Sequence, residues 1–90
     1  MSTLEPMTST LYYPATVIQI TPEDWELKFQ DVPEAIWIGN SEAEVWHQAR
    51  GALELALNCY SKRGKNYPLP SRSLTHNTRL IPFSFVVIPH

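Results

Sequence analysis

The sequence predicts an α+β two-layer sandwich: a three-stranded antiparallel meander, one long helix and a fourth edge strand, in the order β-β-β-α-β. Three observations carry this expectation. Trp25-Glu26-Leu27-Lys28-Phe29-Gln30 alternates without a break, the mark of a strand with one buried face. Apolar residues from Val45 to Tyr60 recur at the spacing of one helical face. The closing run Leu80 to Ile88 is rich in Phe, Val and Ile and reads as a strand. Ninety residues leave room for one core and no second one.

Each element has its own warrant. Residues 1–11 are Ser/Thr-rich and aperiodic, and are read as a flexible N-terminal arm; residues 12–90 are read as a single domain. Order is expected to begin at Tyr12-Tyr13, with Pro14 near the start of a strand and the β-branched run Ala15-Thr16-Val17-Ile18-Gln19-Ile20 behind it. Thr21-Pro22-Glu23-Asp24 supplies turn chemistry and leads into the alternating strand. Asp31-Val32-Pro33-Glu34 breaks that strand, and Ala35-Ile36-Trp37-Ile38-Gly39 forms a short third one.

The helix is marked at both ends. Ser41 with Glu44 makes a capping box; Val45, Ala49, Ala52, Leu53, Ala56, Leu57 and Tyr60 form the apolar stripe. Acidic Glu42 and Glu44 at the start and basic Lys62 and Arg63 at the end suit the helix dipole, and Gly64 is placed to close it. About 22 residues span roughly 33 Å at 1.5 Å per residue, enough to cross a sheet. Lys65 to Thr78, with Pro68 and Pro70, is a surface loop. The helix is expected to return the chain so that strand four lies parallel beside strand one by a right-handed crossover, in the order 3-2-1-4. If the helix covers Ile36 and Ile38, Trp37 faces the open side; the alternative is a small second cluster of Trp37 with Tyr13 and Val17.

Composition excludes several classes. Seven Lys+Arg against nine Asp+Glu, a formal charge of -2, is the wrong balance for a general phosphate-binding surface. No apolar run reaches the ~18 residues of a membrane span, and the start of the chain lacks the pattern of a secretion signal, so a cytoplasmic location is expected by default. One cysteine, Cys59, rules out an internal disulfide and a Cys-based zinc site, and His47, His76 and His90 have no close ligating neighbours.

The topology also matches the start of the ribonuclease H fold, whose chemistry needs clustered carboxylates on two metals. Tyr12 to Ile20 holds no acid, so a metal-dependent nuclease remnant is the remote reading. Cys59 lies in the helix, no sharp turn presents Ser71 or Ser73 beside His47 or His76, and Gly39, Gly51 and Gly64 form no phosphate loop. No catalytic residue, metal or cofactor is expected.

Taken together, Tyr13-Pro14-Ala15, Phe29-Gln30-Asp31-Val32-Pro33, Gly39-Asn40-Ser41 with Glu42-Ala43 and Ala49, and Pro68-Leu69-Pro70-Ser71 resemble the HicB antitoxin family over Tyr12 to Ser71. Gln30 stands where that family usually has proline and Glu34 where it has glycine, which puts the turn geometry outside the common pattern. The resemblance implies a partial ribonuclease H-like fold that binds and neutralises HicA, a small basic mRNA-cleaving toxin. It also implies a DNA-binding segment after the last strand in many members; this chain reaches Pro89-His90 directly after strand four, so operator binding by it alone is not expected.

A shield for a basic toxin is expected to offer carboxylates and aromatic anchors. Glu23, Asp24, Glu26, Asp31 and Glu34 cluster around the ends of strand two, and the partner-binding candidates are Glu26, Asp31, Glu34, Trp37 and Tyr13. The bland alternative for the acids is a solubilising surface. Phe83, Phe85 and Val87 on the edge strand are the candidates for a homodimer or higher oligomer. The rival to an antitoxin is an orphan oligomerisation or adaptor module on the same scaffold.

Overall fold

The computed structural model describes residues 7–72, 75 and 77–87. His76, His90, Ser73 and Ile88, weighed above, lie outside the described residues. The elements are β1 (Met7–Thr21), β2 (Asp24–Phe29), β3 (Ile36–Gly39), α1 (Glu42–Lys62) and β4 (Thr78–Val87). They form a four-stranded sheet in the order β3-β2-β1-β4 with α1 on one face, the α+β arrangement expected.

All three strand pairings are antiparallel, including β1 with β4. The expected parallel crossover is therefore corrected. α1 runs back along the sheet from Gly39, and its exit lies low over β1 and β4, where Tyr67 packs on Phe83 and Phe85. About fifteen residues then separate α1 from β4. At ~3.3 Å per residue that is ample chain to double back before pairing. The connection starts on the helix face, where Tyr13 Oη donates to the Pro68 carbonyl at 2.8 Å. By Leu69 to Arg72 it lies beside Thr10, Tyr12 and Leu80.

β1 also starts earlier than expected. Met7 to Leu11, read above as arm, pair with Val87 to Phe83 as the first part of the strand. No hydrophobic alternation announced them because this stretch has little to bury. β2 joins β1 only from Ala15 onward, so Met7–Pro14 and Leu80–Val87 form a two-stranded ribbon. Both prolines fit it. The Pro14 carbonyl accepts from Gln30 N at 3.3 Å, so Pro14 turns its backbone toward the β2 side. By alternation Tyr12, paired with Pro82, does the same, and Pro82 turns its missing N–H outward from the sheet.

The core lies between sheet and helix: Tyr13, Ala15, Leu27, Phe29 and Phe83 meet Val45, Ala49, Leu53 and Leu57. Half of the capping box forms, with Glu44 N donating to Ser41 Oγ at 3.1 Å, while Glu44 Oε2 accepts from Asn40 N, one residue before the cap, at 3.0 Å. At the other end Gly64 takes φ 67°, Gly64 N donates to the Ser61 carbonyl, and Lys65 N to the Tyr60 carbonyl. These two bonds are the Schellman closure for which a glycine is favoured.

Candidate partner interface

Strand β3 decides which face is left bare. Its register sets Trp37 opposite Leu27, with Ile36 opposite Lys28 and Ile38 opposite Glu26. Directly paired residues share a face, so Trp37 joins Leu27 under the helix and the two isoleucines point the other way. This reverses the expectation that α1 covers Ile36 and Ile38. The small residues Ala35 and Gly39, both buried, let α1 approach this strand closely. A Cβ on Gly39 would stand 2.9 Å from Val45 Cγ1.

The uncovered face consequently carries exposed isoleucines around a charged centre. Ile18, Ile20, Ile36 and Ile38 are each about half exposed (50, 49, 49 and 56%). Ile38, Glu26 and Ile18 stand in one cross-strand row, and Ile36, Lys28 and Thr16 in the next. Glu26 Oε1 lies 3.1 Å from Lys28 Nζ, a surface pair of small net value. None of the four is among the partner-binding residues expected from the sequence, where Ile36 and Ile38 figure only as the pair α1 would cover. The signal was present: Val17 points to the helix, Ile18 and Ile20 to the opposite side, and a strand apolar in both phases beneath a single helix must leave one phase bare.

The other expected site residues disperse. Tyr13 is wholly buried, its hydroxyl held by Pro68, so it is not available as a surface anchor. Burial, reinforced by the nearby Asp31 carboxylate, pushes that hydroxyl up to about 12. Asp31 faces inward to the loop, accepting from Ser71 N at 2.7 Å and from Ser71 Oγ at 2.5 Å. Phe83 is buried and stacks on Phe85, with Tyr67 edge-on to both rings. Those two rings therefore serve the chain's own packing, while Val87 remains exposed near the end of the ribbon.

Glu34 and Trp37 do come together, on the helix side of β3. There a groove of about 350 Å³ runs between the outer edge of β3 and the second half of α1. Trp37 lines it with Ile36 and Leu55, and Glu34, Arg63 and Lys65 stand around it. The Tyr60 hydroxyl donates to the Glu34 carboxylate at 2.9–3.0 Å, which raises the tyrosine's pKa. The Trp37 indole N–H is buried without an acceptor among the described residues.

Among the described residues no group of three or more His, Cys, Asp or Glu could hold a metal ion, and no helix is long and apolar enough to cross a membrane. The uncovered sheet face therefore presents four half-exposed isoleucines flanking the Glu26–Lys28 pair. The chain belongs to a family whose members are antitoxins: residues 12–87 match the HicB_like antitoxin of bacterial toxin-antitoxin system. It is similar to Antitoxin HicB of Escherichia coli (strain K12), 32% identical over 65 residues, and equally to Antitoxin HicB of Escherichia coli O157:H7. Each alignment covers 72% of this chain and 47% of the relative, so the chain spans about half the length of the curated relatives it matches.

Proposed function

We propose that this chain is a non-catalytic antitoxin module that binds a small basic HicA-type toxin in the cytoplasm and occludes its mRNA-cleaving surface. The observation that carries the reading is the uncovered face with Ile18, Ile20, Ile36 and Ile38 half exposed. Completing the burial of a half-exposed isoleucine is worth about 1 kcal/mol, so four of them supply a substantial anchor. Glu26 within the patch, and Glu23 and Asp24 at the adjoining β1–β2 turn, bring the charge that speeds encounter with a basic partner.

The test is co-expression with a neighbouring gene that encodes a short basic chain, followed by pull-down and growth rescue. The wild type is expected to capture the toxin and restore growth. Ile18→Lys with Ile38→Lys removes about 2 kcal/mol or more, a loss of roughly 30-fold in affinity, and sets like charge against the basic partner, while the fold persists because both side chains are already half in water. Unchanged binding by that variant excludes this face; no capture of any basic neighbour leaves the orphan adaptor as the better reading.

Self-association is a second reading, favoured by β4. It is outermost in the sheet, and its Val86 and Val87 are exposed beside an unpaired edge. Pairing of two β4 edges would join two sheets into one. Light scattering is expected to give a dimer mass, reduced to the monomer by Val86→Lys; a monomer at micromolar concentration removes this reading.

A further inference from the structure

The groove on the helix side of β3 meets the toxin face only at Ile36, on the strand edge, and its other lining residues lie apart from that face. We propose that this groove binds an extended segment of a protein partner, added antiparallel to β3, with a large apolar side chain over Trp37 and a carboxylate beside Arg63 and Lys65.

Three features of the site support this assignment. Among the described residues β3 is an outermost strand that pairs only with β2, so every second residue turns an N–H and C=O outward with no strand to receive them. An open edge beside a helix is the geometry of strand addition, in which ladder hydrogen bonds give affinity and side-chain pockets give selectivity. The groove supplies the pocket, with Trp37, Leu55 and Ala56 as its apolar wall and Ile36 at its rim.

The direction of the guest follows from the fold. α1 begins beside Gly39, at the end of β3, and reaches Glu34, before its start, at Tyr60. A strand laid antiparallel on β3 runs with the helix, so its C-terminal part arrives where Arg63 and Lys65 stand. Neither cation has a carboxylate within ion-pair distance among the described residues. Glu34, the acid at that end, shares the single Tyr60 hydroxyl proton between its two oxygens and lies outside ion-pair distance of both cations. The last turn of α1 is already closed by the amides of Arg63, Gly64 and Lys65, which leaves the two side-chain cations for a guest anion.

Cys59 lines the same groove and is the chain's one cysteine, which makes it a reporter of occupancy. Selection of short random peptides with free C-termini, displayed on phage, against the full chain is expected to yield a consensus. That consensus is Leu, Phe or Trp followed within a few positions by Asp, Glu or the chain end. A synthetic peptide of that sequence is expected to protect Cys59 from N-ethylmaleimide and to move the Trp37 indole resonance. Arg63→Glu with Lys65→Glu is expected to weaken it about tenfold, with the fold checked by circular dichroism. Ile18→Lys with Ile38→Lys, which tests the toxin face, is expected to leave peptide binding unchanged. The proposal is overturned if no consensus or a basic one emerges, if the bound peptide leaves Cys59 equally reactive, or if binding is lost with the isoleucine pair instead.

Discussion

Asp31 shows how one side chain can set the path of a loop. It stands just past β2, and its two oxygens hold both the amide and the hydroxyl of Ser71, forty positions along the chain. Charge-assisted bonds of this kind are worth more than neutral ones, and leaving a partly buried amide unmatched adds a penalty. Asp31→Ala is expected to cost about 2–3 kcal/mol in urea denaturation, and Asp31→Asn about half as much, because one acceptor oxygen remains. Tyr13 is the other tie to the same loop. Its hydroxyl is raised to about 12, chiefly by burial, so the folded chain keeps this proton where the unfolded chain has lost it. The contribution is whole below pH 10, the unfolded value, and drains away as pH climbs from 10 through 12. Denaturation midpoints measured across that window are expected to fall in the wild type and to fall less in Tyr13→Phe.

At the scale of elements, the junction between β3 and α1 is the tightest point of the fold. Ser41 caps the helix while Glu44 reaches back to Asn40, and the Glu44 side chain also lies against Gly39. Ser41→Ala is expected to cost about 1 kcal/mol. Gly39→Ala is expected to cost at least as much as that cap, since its Cβ would meet Val45 Cγ1 at 2.9 Å and Glu44 Cδ at 3.2 Å. The two losses share Glu44 and are expected not to add, a non-additivity that a double-mutant cycle reads directly. The helix was legible because capping, stripe and Gly64 closure are all local features. The orientation of β3 was not. It depends on whether Trp37 or Ile38 stands opposite Leu27, which the turn from Gln30 to Ala35 decides and which four residues of strand do not reveal.

At the scale of the whole molecule, the ribbon governs the shape. The radius of gyration is 15.3 Å, against about 12 Å for a compact chain of this length. The excess follows the β1/β4 ribbon, which continues past the end of β2. Two strands alone are marginal in water, and the end of this ribbon leaves Met7, Val86 and Val87 exposed. Amide exchange in dilute solution is expected to be fast at Met7–Ser9 and Phe85–Val87 and slow at Ala15–Val17 and Leu27–Phe29. If two β4 edges pair, raising the concentration protects the outward amides of Ser84 and Val86 first; protection that ignores concentration counts against that pairing.

Neighbours along the chain suffice to fix the alternation of β2, the capped helix with its stripe and glycine stop, and the order of elements. Those features follow from local periodicity and backbone chemistry, and they bounded the molecule to one helix on one sheet. Three features come from long-range contacts alone: which face of that sheet stays open, the antiparallel pairing of β4 with β1, and the ties of Tyr13 and Asp31 to the loop after α1. The reason is that register and loop path are settled by contacts between residues far apart in sequence, and a single shift of pairing turns every side chain of a strand to its other side.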